Sequence, residues 1–213
     1  MKIDLIAGAR PNFIKIAPII DAINKNSDSK ESLNYRLIHT GQHYDKNMSA
    51  DFFDQLNIPN PDFNLEAGGG SQTEQTAKIM LGYESLLKKE LTDFCLVVGD
   101  VTSTMACSIV AKKMNIKVIH VEGGIRSWDL TMPEEINRMV TDSISDYFFT
   151  TSTTANKNLM QIGVRKENIF FVGNTMIDTL MKHSENFIKP TLWGKLDLKE
   201  KNYIVMTLHR PSN

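Results

Sequence analysis

Six short runs of β-forming residues alternate along the chain with longer segments of helical periodicity. The runs have few polar interruptions, which suits strands covered by helices on both faces, and the alternation is typical of parallel βα units. We therefore predict an α/β fold with a Rossmann-like parallel sheet flanked by helices. The six predicted strands are residues 2–7, 35–39, 94–98, 117–121, 147–150 and 169–172.

Three of the segments between these runs carry clear helix signals. Residues 11–24 and 71–91 place apolar side chains on one helical face. Residues 132–145 open with Pro133 and two glutamates, a composition that the first turn of a helix prefers. We predict a helix over each of the three.

The chain is long enough to bury one substantial core and the start of a second, with 213 residues of which 41% are hydrophobic. We expect a first domain over residues 1–185 and a crossover over 186–202, where Pro190 and Gly194 interrupt a charged stretch. Residues 203–207 are predicted as a strand that opens a truncated second domain, 203–213.

The overall charge excludes some partners. The formal net charge of -1 gives no general attraction to nucleic acid or anionic membrane, and no window is apolar enough to span a bilayer. The first residues run directly into a short strand, so we expect a cytoplasmic protein. Cys95 and Cys107 lack a paired spacing and are interpreted as packing residues. No metal-ligand spacing is present, so we predict no metal and no cofactor.

In open α/β sheets, ligands bind beyond the carboxyl ends of the strands. The first such turn, Gly8-Ala9-Arg10-Pro11, combines a glycine, a cation and the start of a helix, which predicts a phosphate-binding turn. Lys15 follows one turn later, where a solvated helix lysine is the alternative interpretation. The pattern is not G-x-G-x-x-G, so a dinucleotide site is disfavoured.

Three candidate acids follow later strands. Asp100 could be a helix N-cap rather than a functional group. Glu122 ends a predicted buried strand, where an unpaired carboxylate is costly and needs a partner or a role. Glu134 and Arg138 are four residues apart and could form a surface ion pair. All of these positions fall on one edge of the predicted sheet, which favours a shared site.

Four histidines are also candidates. His39 ends a strand, and His120 lies within a strand and is interpreted as a core residue. His43 lies in a turn where it could bind a ligand. His209, immediately before Arg210, is the strongest functional candidate of the four.

These residues together resemble one family, the non-hydrolysing UDP-N-acetylglucosamine 2-epimerases of bacteria and archaea. The matching stretches occur in the family's order over the whole chain. They are Gly8-Ala9-Arg10-Pro11 with Lys15, His39-Thr40-Gly41-Gln42-His43-Tyr44, Val98-Gly99-Asp100-Val101-Thr102-Ser103, His120-Val121-Glu122-Gly123-Gly124-Ile125-Arg126-Ser127, Met132-Pro133-Glu134-Glu135-Ile136-Asn137-Arg138, Val172-Gly173-Asn174-Thr175 and Thr207-Leu208-His209-Arg210-Pro211.

The resemblance implies one half of a two-domain, glycosyltransferase-B-like architecture with a UDP-sugar as substrate. It implies inversion at C2 of a UDP-N-acetylhexosamine by elimination and re-addition of UDP, in cell-surface polysaccharide biosynthesis, by an enzyme that is commonly a homodimer. The implied active-site positions are Arg10, Lys15, Asp100, Glu122, Glu134, Arg138 and His209.

The chain departs from the family pattern at two places. Ala9 and Asn12 stand where the family commonly has Thr and Glu. The stretch Tyr44-Asp45-Lys46-Asn47-Met48 differs from members regulated by their own substrate and is nearer to relatives that act on diacetamido uronic acids, so the allosteric site is not carried over and the exact sugar stays open.

Other functions remain in competition at this point. A hydrolysing epimerase would release free N-acetylmannosamine, and a glycosyltransferase would need one acceptor-activating base rather than three acids. A non-catalytic nucleotide-sugar-binding domain is the alternative outside the enzymes. We expect the chain by itself to fold but to turn over little or no substrate, because most of the implied second domain is not included.

Overall fold

The computed structural model describes residues 1–26, 33–41, 53 and 55–208. Within them, seven strands form one parallel sheet in the order β3-β2-β1-β4-β5-β6-β7. The strands are β1 Lys2–Ala7, β2 Asn34–His39, β3 Phe63–Asn64, β4 Phe94–Val98, β5 Lys117–Val121, β6 Tyr147–Thr150 and β7 Ile169–Phe171. The helices are α1 Arg10–Lys25, α2 Gln72–Lys89, α3 Thr102–Lys113, α4 Pro133–Ile144, α5 Thr153–Gln161, α6 Thr175–His183 and α7 Thr191–Lys195. None of these helices is long and apolar enough to cross a membrane.

The predicted parallel α/β sheet is confirmed. The six predicted strands and three predicted helices are all present, and their bounds differ from the predicted ones by at most two residues. The sequence did not predict β3, which has two residues and lies at the edge of the sheet beside β2. A strand this short carries no alternation that a sequence pattern could reveal.

The sheet is buried on both faces. On one face, Phe13, Ile16 and Ile20 of α1 pack against strand residues such as Leu5 and Leu37. On the other, α2 and α3 cover the alternate strand residues through an apolar cluster. That cluster includes Ile79, Tyr83, Leu87, Ala106, Cys107 and Val110. The two cysteines are fully buried, and burial raises the pKa of both thiols, which confirms them as packing residues.

A proline inside α1 is compensated by a hydrogen bond from α6. Pro18 has no N–H to donate to the carbonyl of Ile14, four residues earlier in the helix. The Thr179 hydroxyl donates to that carbonyl instead, at 2.6 Å. Since an unpaired backbone carbonyl is costly when buried, this bond both provides the Ile14 carbonyl with a donor and holds α6 against α1 at Thr179.

A buried ion pair joins the neighbouring strands β1 and β2. Asp4 is fully buried, and both its oxygens accept hydrogen bonds from the Arg36 guanidinium, from Nε at 2.7 Å and from Nη2 at 2.9 Å. Tyr83 donates to the same carboxylate at 3.0 Å. Burial alone would lower the pKa of Arg36, but Asp4 and Glu90 raise it above its ordinary value. The pair fixes the register of the two strands, in which Asp4 lies opposite Arg36.

The chain divides into two compact units, Met1–Thr179 and Leu180–Asn213. The second unit contains α7 within the predicted crossover, and the Trp193 ring contacts Tyr203 with a centroid separation of 5.3 Å. The strand predicted at residues 203–207 is absent from the structure, where Tyr203–Leu208 has no regular secondary structure. A strand needs a neighbouring strand for its N–H and C=O groups, and the described part of this unit offers none.

The Asp4–Arg36 pair gives a stability prediction. Arg36→Met leaves a fully buried carboxylate without its cation, and breaking such a pair costs about 3–5 kcal/mol of unfolding free energy. Urea denaturation followed by circular dichroism measures the loss. The matched control is Lys88→Met, which breaks an exposed pair with Glu84 and should cost less than about 1 kcal/mol. Equal losses in the two variants would contradict a special role for the buried pair.

Candidate functional site

The candidate residues lie where the strand order of the sheet reverses. From β1 the chain moves to β2 on one side, and later returns to β4 on the other side of β1. Ligands of open α/β sheets bind at such a switch point, beyond the carboxyl ends of the strands. The turns after β1, β4 and β5 are therefore neighbours, because these three strands are adjacent in the sheet.

An ion pair crosses this edge above β4. Lys15 Nζ in α1 lies 2.5 Å from Glu122 Oε2 after β5, and both side chains are largely buried. Gly99, which follows β4, lies beneath the pair with φ +70°, and a Cβ there would come within 3.1 Å of Lys15 Nζ. The interpretation of Lys15 as a solvated lysine is thus wrong. The absent side chain of Gly99 leaves the space in which the pair forms.

The backbone of Glu122 has an unusual conformation. Its φ of +68° lies in the left-handed region, which residues other than glycine adopt rarely and at a cost of about 1–2 kcal/mol. Its N–H donates to the Phe149 carbonyl at 2.8 Å, and Lys15 holds its carboxylate. The surrounding contacts therefore maintain a strained residue at the candidate site, a situation that is common at functional positions.

A second ion pair joins α4 to the turn after β4. Arg138 Nη2 lies 2.5 Å from Asp100 Oδ2, and Nη1 donates to Glu135 Oε2 at 2.9 Å. The amide of Asn137 donates to the Asp100 carbonyl at 2.8 Å. Two alternative interpretations are consequently wrong. The residue that caps α3 is Val101 rather than Asp100, and Arg138 pairs with Asp100 and Glu135 rather than in a surface pair with Glu134.

Glu135 holds the loop that leads into α4. Its fully buried carboxylate accepts hydrogen bonds from the N–H and hydroxyl of Ser127, from the N–H of Trp128 and from Arg138. Burial opposes ionisation, but these donors outweigh it and hold the pKa of Glu135 below its ordinary value. Glu135 is thus a charged structural residue that orients both the loop and Arg138.

Asn12 binds backbone donors of the turn after β1. Its Oδ1 accepts from the N–H groups of Gly8 at 3.1 Å and Ala9 at 2.9 Å, and its Nδ2 donates to the Val98 carbonyl at 2.9 Å. Within the turn that the sequence predicts to bind phosphate, the Gly8 and Ala9 amides are therefore engaged by Asn12, and the phosphate-binding role of the turn stays a prediction.

A buried histidine and aspartate connect β5, the turn after β4 and α4. His120 Nε2 donates to the Gly99 carbonyl at 2.8 Å, and Nδ1 lies 2.6 Å from Asp142 Oδ1 in α4. The other oxygen of Asp142 accepts from the Gly124 N–H at 3.0 Å and from Arg126 at 2.6 Å. His120 is fully buried, so its interpretation as a core residue is confirmed, with an ionic partner that the sequence did not reveal.

The protonation of this pair follows from its contacts. Burial alone would lower the pKa of His120, but Asp142 and the Gly99 carbonyl outweigh burial and raise it. For Asp142, burial would raise the pKa, and the charges of His120 and Arg126 lower it below its ordinary value. Both nitrogens of His120 face acceptors, so the pair is an imidazolium and a carboxylate.

The remaining candidate residues lie in α4, α1 and β2, and two of them lie outside the described residues. Glu134 is half-buried in the first turn of α4, one residue before Glu135, and Arg10 is exposed at the start of α1. His39 is buried at the end of β2, with its ring 5.3 Å from that of Phe13. His43 and His209 lie outside the described residues. In the part of the chain that is described, no three acidic, histidine or cysteine side chains cluster as a metal site.

The fold and the site together indicate the class of protein to which this chain belongs. The chain forms a Rossmann-like α/β unit whose carboxyl edge carries acids, each held by a cation from a different element: Glu122 by Lys15, Asp100 by Arg138, and Asp142 by His120 and Arg126. This arrangement suits recognition of a polar, anionic ligand at the switch point, combined with proton transfer.

The chain belongs to the UDP-N-acetylglucosamine 2-epimerase family, whose model matches residues 25–213. A UDP-N-acetylglucosamine 2-epimerase of Methanocaldococcus jannaschii is 41% identical over 216 residues, covering 100% of this chain and 58% of that protein. The UDP-2,3-diacetamido-2,3-dideoxy-D-glucuronate 2-epimerase of Pseudomonas aeruginosa is 38% identical, with the same coverage.

A solved structure agrees with these sequence relatives. The crystal structure of the M. jannaschii UDP-GlcNAc 2-epimerase in complex with UDP-GlcNAc and UDP superposes with a TM-score of 0.83 at 42% identity, covering 92% of this chain and 53% of that one. The chain thus spans little more than half the length of the relatives it matches.

The His120–Asp142 pair gives a pH prediction. A raised pKa means that the stabilisation from the charged His120 is fully present below its ordinary pKa of 6.5 and is lost as pH rises through the folded value. His120→Asn should therefore lower the unfolding free energy by about 2 kcal/mol near pH 6, and by less at alkaline pH. Urea denaturation at several pH values measures the difference.

A direct control comes from NMR titration of the imidazole. In the unaltered chain His120 should titrate above 6.5, and in Asp142→Asn it should titrate lower, because burial then dominates. A His120 that titrates below 6.5 with Asp142 in place would show that the pair is not ionic.

Proposed function

We propose that this chain forms the acid-bearing part of an epimerase that inverts C2 of a UDP-N-acetylhexosamine, such as UDP-N-acetylglucosamine, by elimination and re-addition of UDP. The observation that carries the proposal is the meeting of two ion pairs, Lys15–Glu122 and Arg138–Asp100, at the switch point of the sheet. Membership of the family supports the same reaction.

The chemistry explains why acids and cations are needed together. The C2 hydrogen of the sugar has no adjacent carbonyl to acidify it, so direct proton removal is unfavourable. A carboxylate takes the C2 proton while the C1–O bond to UDP breaks, and the C–H electron pair forms the C1–C2 double bond. Return of the proton to the opposite face of C2, with re-addition of UDP at C1, gives the epimer.

We assign the proton transfers to Asp100, Glu122 and Glu134 without dividing the roles of base and acid. Arg10, Lys15 and Arg138 would neutralise charge on the departing diphosphate, because guanidinium and ammonium groups bind phosphate oxygens strongly. His209 would lie with the diphosphate, and His43 with the substrate. The assignment of His209 rests on its place immediately before Arg210 and on the family resemblance, and that of His43 on its place in a predicted turn.

The ion pairs prepare the site for this reaction. With Lys15 on Glu122 and Arg138 on Asp100, each acid is held in place before a substrate arrives. A bound diphosphate would compete with the acids for the same cations, which would free a carboxylate to accept the C2 proton. Substrate binding and activation of the base are then coupled through the same two cations.

Two other functions stay in competition. A hydrolysing epimerase would use the same acids but release free N-acetylmannosamine, and a non-catalytic domain would bind UDP-sugar without turnover. The Pseudomonas aeruginosa relative acts, by its name, on a diacetamido uronic acid sugar, so a modified sugar belongs to the same proposal. The proposal is completed by a homodimer, which the family resemblance implies, and by a location in the cytoplasm.

The test uses deuterium exchange at C2. Because the chain covers 58% of the M. jannaschii relative, we would join it in one polypeptide to the part of that relative it does not cover, and assay the chain alone in parallel. Incubation with UDP-N-acetylglucosamine in deuterated water should give deuterium at C2 of both UDP-sugar epimers. Free N-acetylmannosamine would instead identify hydrolysis, and binding without exchange would identify a non-catalytic domain.

Substitutions of the acids test the assignments. Asp100→Asn, Glu122→Gln and Glu134→Gln should each lower kcat by at least about 100-fold, since general acid–base catalysis contributes about 10²–10⁴. The matched control, Glu84→Gln, changes an exposed glutamate of α2 and should leave kcat unchanged. Full exchange in all three acid variants would refute the proposal.

A further inference from the structure

Side-chain donors hold the backbone of the segment that leads from β4 into the candidate site. The Val98 carbonyl accepts from Asn12 Nδ2 of α1 at 2.9 Å and from the Thr104 hydroxyl of α3 at 3.0 Å. The Gly99 carbonyl accepts from His120 Nε2 of β5 at 2.8 Å. The pairing of β4 with β5 ends at Val98, so the carbonyls that follow need donors from other groups.

Asp100, the next residue, is held at both its backbone and its side chain. Its carbonyl accepts from Asn137 Nδ2 at 2.8 Å, and its carboxylate lies 2.5 Å from Arg138 Nη2. The two partners are successive residues of α4, and Asn137 is buried. Three consecutive carbonyls are thus held by donors from α1, β5 and α4, which fixes this segment from three sides.

The two partners of Asp100 differ in charge. Arg138 is a cation, and under the proposed function a bound diphosphate would compete for it and release the Asp100 carboxylate. The Asn137 amide is neutral, and hydrogen bonds with an ionised donor are roughly twice as strong as neutral ones. A diphosphate would therefore compete far less for Asn137. The carboxylate of Asp100 would be released while its backbone stays fixed.

We propose that Asn137 is a positioning residue of the epimerase reaction, which holds the backbone of Asp100 while the Asp100 carboxylate takes part in proton transfer. This inference rests on the proposed function, in which Asp100 is one of three acids. Asn137 acts through Asp100 and is assigned no contact with the substrate. A fixed acid needs no reorientation after Arg138 has moved to the diphosphate, and a misplacement of about 1 Å can cost about 100-fold in rate.

The first test is kinetic and uses the joined polypeptide of the deuterium-exchange assay. Asn137→Leu keeps a branched side chain of similar size but removes the amide donor. It should lower kcat by about 10- to 100-fold because the acid is less well placed, and should change KM by less than about twofold because the cations remain. The matched control is Asn26→Leu, which removes an amide that donates to the Ala22 carbonyl at 2.7 Å at the exposed end of α1. This control should leave both constants unchanged.

A double variant separates positioning from a general loss of structure. If Asn137 acts only through Asp100, then Asn137→Leu should lower kcat by less than about twofold in a protein that already carries Asp100→Asn. A further loss of about tenfold in that protein would overturn the proposal. Asn137→Ala serves as a second variant, and it keeps the test valid if Asn137→Leu fails to fold.

A second measurement does not depend on activity. The Val101 N–H shares a peptide plane with the Asp100 carbonyl, so its NMR order parameter reports the motion of that group. In the unaltered 213-residue chain this order parameter should be about 0.85, the value of a rigid backbone, and in Asn137→Leu it should fall towards about 0.6. Asn26→Leu should leave it unchanged.

The outcomes distinguish this proposal from the proposed function. No exchange at C2 in the unaltered joined protein would refute the proposed function, and the effect on kcat with it. An unchanged Val101 order parameter in a folded Asn137 variant would overturn the positioning role, whether or not exchange occurs. An unchanged kcat with a lowered order parameter would overturn the proposal as well, because the fixed backbone would then not matter for the reaction. Circular dichroism melting curves establish that each variant is folded.

Discussion

A buried imidazolium and carboxylate hold together the edge of the sheet that carries the candidate site. His120 extends from β5 to the carbonyl that precedes Asp100, and Asp142 extends from α4 to the amide two residues after Glu122. Three segments that are distant in sequence are thereby held at fixed spacing. Apolar packing positions the strands, but hydrophobic contacts have no preferred direction. The charged hydrogen bonds are directional, and they fix the positions of the turns that follow the strands.

The acids of the candidate site share one principle of construction. Glu122, Asp100 and Asp142 each have a cationic partner that comes from a different secondary-structure element. A protein that keeps fixed charges around a reaction centre does not need to reorganise them during the reaction. Glu135 also fixes charges in place, because its carboxylate accepts hydrogen bonds from Arg138 and from Ser127 in the loop after β5. The site is thus a network, in which removal of one charge leaves another unpaired.

Much of the fold followed from the sequence, and less of the site did. The apolar runs of β1, β4 and β5 identified the strands, because central parallel strands must be apolar on both faces. Asp100 and Glu122 follow such strands, and the carboxyl ends of parallel strands meet at one edge of the sheet, which placed both acids there. The partners could not be predicted: Asp142 is 22 residues beyond His120, in a helix where an aspartate carries no distinguishing signal. Asn12 differed visibly from the family pattern, yet only the coordinates show which amides it occupies.

Asn12 has a consequence for how this protein can evolve. A phosphate held by main-chain amides is insensitive to substitution, since every residue except proline supplies the same N–H. Here Asn12 occupies the amides of Gly8 and Ala9, so the proposed diphosphate would have to be held by side chains, which are replaceable. Under the proposed function, single-codon changes of such side chains would alter the affinity for the ligand and its dependence on ionic strength, while the backbone of the turn stays the same.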